Sequence, residues 1–94
     1  MKRSIILCLT IALSMIAGLA VADESYVCTY GEKERVIAVV YQDQEMKLPC
    51  EVHYTKDGIT ETLWSAENQP GYCEEKAREL VQKQRDWGWL CIDK

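Results

Sequence analysis

Three hydropathy patterns divide this chain. A charge-free apolar stretch fills residues 5–19, with Lys2 and Arg3 before it and the small residues Ala20, Val21 and Ala22 after it. Residues 26–66 break into short apolar or alternating runs separated by polar turns, the pattern of β-strands. Residues 72–87 change to a helical period.

The middle region predicts four strands. Residues 26–30 form the first, and Gly31-Glu32-Lys33-Glu34 a polar turn after it. Residues 35–42 are apolar at nearly every position, as in a strand covered on both faces. After a loop at 43–48, Pro49 sits where a strand can begin. Residues 50–56 and 59–66 then flank Asp57-Gly58, a dipeptide suited to a two-residue hairpin turn of the primed type. Pro70, within residues 67–71, breaks the sheet.

In the helical stretch Cys73, Ala77, Leu80, Val81 and Gln84 fall on one stripe, while Glu74, Glu75, Arg78, Glu79, Gln82, Lys83 and Asp86 face away. Acids crowd its first turn and bases its last, as the helix dipole prefers. Gly88 is placed to end it in a left-handed conformation, and residues 89–92 form a final short strand. The predicted fold is α+β: a small antiparallel meander of four strands, one helix packed on one face, and a short final strand beside strand one.

The turns set a register. A two-residue turn at Asp57-Gly58 puts Lys56 opposite Ile59, Val52 opposite Leu63 and Cys50 opposite Ser65. A four-residue turn at 31–34 puts Tyr30 opposite Arg35 and Cys28 opposite Ile37, and Tyr41 is expected opposite Cys50. Opposed residues share a face. One face then carries the core: Tyr26, Cys28, Tyr30, Ile37, Val39, Tyr41, Cys50, Val52, Tyr54, Ile59 and Leu63. The other carries Val27, Val36, Val40, His53 and Trp64 among threonines. One helix cannot cover both sides of a sheet. Val36, Val40, His53 and Trp64 are therefore the candidate partner-binding residues on an open face, unless the final strand, the 43–48 loop or a curled sheet covers it.

Composition adds the compartment. The basic start, apolar stretch and small-residue end of residues 1–22 read as a cleavable secretory signal rather than a stable membrane anchor, with Cys8 leaving inside it. Its removal leaves a single domain, residues 23–94, with nine basic against 15 acidic groups, because Lys2 and Arg3 are the only charges lost. Four cysteines remain: Cys28, Cys50, Cys73 and Cys91. An even count in a short exported chain points to a disulfide framework and a periplasmic or secreted location. A chain this small buries only about 60% of its unfolded surface, so such staples matter. Strands one and three lie about 9.6 Å apart, too far for a bridge. The register thus favours the nested pairs Cys28–Cys91 and Cys50–Cys73, with sequential pairing as the alternative.

Other chemistry is sparse. The acidic balance argues against nucleic acid as a partner. There is no Cys-x-x-Cys and only one histidine, so neither a metal site nor a redox dithiol is expected, and no cofactor. His53 and Glu51 alternate on one strand, but no nucleophile accompanies them, and no enzymatic activity is expected. Two functions fit: an exported protein-binding or structural module whose partner is another periplasmic or secreted protein or a second copy of itself, or an inhibitor of a secreted hydrolase such as a lysozyme.

The run Leu48-Pro49-Cys50-Glu51-Val52-His53-Tyr54-Thr55-Lys56, then Thr62-Leu63-Trp64-Ser65-Ala66, Gly71-Tyr72-Cys73-Glu74 and Trp87-Gly88-Trp89-Leu90-Cys91, resembles small exported periplasmic proteins of Gram-negative bacteria. That resemblance implies the compartment and the cysteine pairing and carries no activity with it. Tyr26-Val27-Cys28 and the size of the chain are also similar to periplasmic lysozyme inhibitors, which are all-β barrels, a pattern from which the helix departs.

Overall fold

A computed structural model describes residues 24–94, and the expected signal at residues 1–22 lies outside the described residues. Five strands, β1 (Glu24–Tyr30), β2 (Lys33–Tyr41), β3 (Cys50–Lys56), β4 (Ile59–Ala66) and β5 (Leu90–Asp93), form one antiparallel sheet in the order β4-β3-β2-β1-β5. The helix α1 (Tyr72–Asp86) packs on one face. The meander, the helix and the short strand beside β1 are all as expected. So are the nested disulfides Cys28–Cys91 and Cys50–Cys73. Among the described residues no helix is long and apolar enough to cross a membrane.

The first hairpin is tighter than expected. Tyr30 pairs with Lys33 and Cys28 with Arg35, so only Gly31 and Glu32 form the turn, and Gly31 takes the positive φ of 64° that its first position needs. Lys33 and Glu34 are polar yet belong to β2. The register moves by two residues, and because side chains alternate with period two every residue keeps its face. The Asp57-Gly58 turn is of the primed kind, with φ of 54° and 80°.

The second hairpin carries a correction with larger consequences. Lys56↔Ile59 and His53↔Thr62 pair as expected, but a bulge follows, and beyond it Val52 faces Trp64 and Cys50 faces Ala66. Leu63 is the extra residue. A one-residue slip moves every later side chain of the strand to the other face. Trp64 and Ala66 therefore turn toward the helix, where both pack against the core.

α1 begins after Gly71 (φ 82°), holds Glu74 and Glu75 in its first turn and Lys83 and Arg85 in its last. Gly88 closes it at φ 97°: its N–H donates to the Arg85 carbonyl at 2.9 Å, and the Trp89 N–H donates to the Gln84 carbonyl at 3.0 Å. These two bonds define a Schellman motif, which requires the left-handed residue that glycine supplies. The chain then leaves the helix at the angle that brings β5 back to β1, with Cys91 directly opposite Cys28.

The core lies between sheet and helix. Cys28, Ile37, Val39, Tyr41, Cys50, Val52 and Cys91 meet Cys73, Ala77 and Val81 there, all buried. Three expected core residues, Tyr30, Ile59 and Leu63, are not in it. Ile59 (66% exposed) and Tyr30 (55% exposed) stand at the hairpin end of the sheet, with Tyr30 against the Trp89 ring at 5.5 Å between centroids. The helix crosses the sheet obliquely. It starts where Cys73 is bonded to Cys50 of β3, and it ends where Arg85 donates to the Cys91 carbonyl of β5 at 2.9 Å. The corner at the β3–β4 turn is thereby left uncovered on the helix side.

Candidate functional site

Two surfaces stand out, one on each side of the sheet. The first is the face away from α1. Strand pairing lines up Ile92, Val27, Val36, Thr55 and Thr60 in one row across all five strands. Neighbouring rows hold Ser25, Ala38, His53 and Thr62, then Val40, Glu51 and Ser65, then Leu90, Thr29 and Glu34. Apolar side chains gather in the β5–β1–β2 half and threonines in the β3–β4 half. No element among the described residues lies over this face, since the single helix occupies the other one.

Of the four candidate binding residues, the structure brings three together here. Val36, Val40 and His53 are half-buried on the open face. Trp64 is not with them: the Leu63 bulge turns it to the helix side, where the Lys76 ammonium sits 5.7 Å from its ring centroid. Its place in the apolar patch is taken by Leu90 (68% exposed) and Ile92 (53% exposed). The signal for these two was in the sequence. Once Cys91 is committed to a disulfide in the core, alternation sends the residues on either side of it outward.

His53 Nε2 lies 2.7 Å from Glu51 Oε1. Across the strands His53 is flanked by Ala38 and Thr62, so the carboxylate holds the imidazole against a methyl group and a hydroxyl-bearing side chain. The result is an ordered polar pair on the open face.

The second surface is the uncovered corner on the helix side. Tyr54, Lys56, Asp57, Ile59, Glu61 and Leu63 line a cavity of about 380 Å³. Leu63, the bulge residue, keeps the helix side it shares with Ile59 and Glu61 and stands at the cavity wall. Tyr54 marks the border with the core, accepting a hydrogen bond from the buried Gln84 side chain at 3.1 Å. The opposite corner, at Tyr26, Arg78, Arg85 and Asp93, is smaller and more polar, at about 290 Å³.

No family model, curated protein or solved structure matches this chain. Its class rests on its own architecture, a disulfide-stapled α+β domain with one sheet face covered and one open.

Proposed function

We propose that this chain is an exported protein-binding module that docks its partner through the open face of the sheet and has no catalytic role. The observation that carries this reading is the exposure of Ile92, in line with Val27 and Val36, and of Leu90 in a neighbouring row, on a side that no described element covers. Large aliphatic side chains held on a rigid, uncovered sheet favour burial against another surface, at about 25 cal/mol for each Å² of apolar area removed from water. The two disulfides support export to an oxidising compartment, the periplasm or the exterior.

A photo-crosslinking amino acid at Val36 tests the proposal in the living host. Irradiation should give a discrete protein adduct from position 36 and none from position 79, on the outer side of α1. Adducts at neither position, or equally at both, would overturn the open face as a docking surface.

A further inference from the structure

Resting on that reading, we infer that the partner at the open face is a second copy of this chain, the two sheets stacking into a sandwich. Charge is the first argument. Residues 23–94 carry six more acidic than basic groups, so two copies repel unless they meet where charge is sparse. Of the strand positions on the open face only Glu34 and Glu51 bear a carboxylate, and Glu51 is paired with His53. The outer side of α1, in contrast, is charged along its length. The open face is where a copy of the same acidic protein can approach.

The edges of the sheet supply the second argument. Association of β proteins through free strand edges is blunted by bulges and by short edge strands. Here β4, one edge, is broken by the Leu63 bulge, and β5, the other, has four residues. Self-association is thus directed away from the edges and onto the face.

Shape and area supply the third. A pleated surface of valines and threonines fits another twisted sheet, and stacked sheets lie about 10 Å apart. A two-fold axis lying in the interface and running across the strands sets the apolar β5–β1–β2 half of one copy on the same half of the other. Such an isologous contact is closed and self-complementary. Five strands at about 4.8 Å, each some 20 Å long, give about 480 Å² of projected face on each copy. Two such faces come to roughly 1,000 Å² before side-chain relief is counted, the lower bound for a specific interface. The face is large enough for a dimer only if nearly all of it is used, which predicts a reversible dimer and makes its centre, at Val36, sensitive.

Sedimentation velocity of the oxidised protein, expressed from its full coding sequence and followed from micromolar to about 500 μM, tests the inference. The wild type should double its mass within that range. Val36→Glu and Ile92→Glu should each remain monomeric throughout with an unchanged circular dichroism spectrum, and Glu79→Lys, on the outer side of α1, should dimerise like the wild type. A wild type that stays monomeric at the highest concentration overturns the inference, as does a dimer that both face variants retain. In the first case the crosslink at Val36 separates the two failures. An adduct with a different protein leaves the docking face standing with another partner, whereas no adduct removes both.

Discussion

The Tyr26 hydroxyl donates to Glu24 Oε1 at 3.3 Å, beside the β1–β5 edge of the sheet. Burial, then the charge of Glu24 and its hydrogen bond, then the charge of Asp93 hold the phenol above its ordinary value of 10.0, with Arg78 opposing them. The unfolded chain therefore gives up this proton at a lower pH than the folded one. Stability should fall as pH rises through and beyond the ordinary tyrosine value, whereas below it the contribution of this group is fully present and independent of pH. Melting temperatures of wild type and Tyr26→Phe should run parallel at neutral pH and converge or cross above about pH 10 as the wild type loses stability faster. Parallel curves throughout would show that the phenol titrates alike in both states. Trp64 makes a different kind of prediction. With its ring half-buried under Lys76 and against the core, Trp64→Ala should cost about 2 kcal/mol in guanidinium denaturation, roughly half the loss for a fully buried tryptophan. It should leave association through the open face intact.

At the scale of elements, what survives from sequence to structure is parity. The β1–β2 turn is two residues shorter than its polar composition indicated, yet Cys28, Ile37 and Val39 all remain on the helix side, because an even shift preserves faces. The helix stripe and its Gly88 stop were equally legible, since both follow from the 3.6-residue period and from the conformation a helix end demands. The bulge was not legible. In Leu63-Trp64 either residue can face the core, and nothing local decides whether the strand keeps alternating or inserts one residue. The choice is made by tertiary packing, which places tryptophan under the start of α1 and leaves leucine at the cavity wall. The open face was legible by counting one helix against two sheet faces. Its membership was legible only in part, because Leu90 and Ile92 take their orientation from the disulfide at Cys91.

For the whole molecule, the two bridges differ in what they constrain. Cys28 and Cys91 are 63 residues apart and Cys50 and Cys73 are 23 apart. Loop-closure entropy gives about 4.3 kcal/mol for the longer loop and about 3.4 kcal/mol for the shorter. Urea denaturation of the Cys28→Ser/Cys91→Ser and Cys50→Ser/Cys73→Ser double variants should therefore show the former to be less stable by about 0.9 kcal/mol. The reverse order would mean that pinning α1 to the sheet matters more than closing the chain. Nesting has a further consequence, for survival among proteases. Because Cys28–Cys91 encloses Cys50–Cys73, a single backbone cut anywhere between residues 28 and 91 leaves both fragments covalently joined. Sequential pairing would have left residues 51–72 as an unguarded tether whose scission separates the halves. In this arrangement the exposed Asp57-Gly58 turn can be nicked and the sheet still has all of its strands within reach of one another.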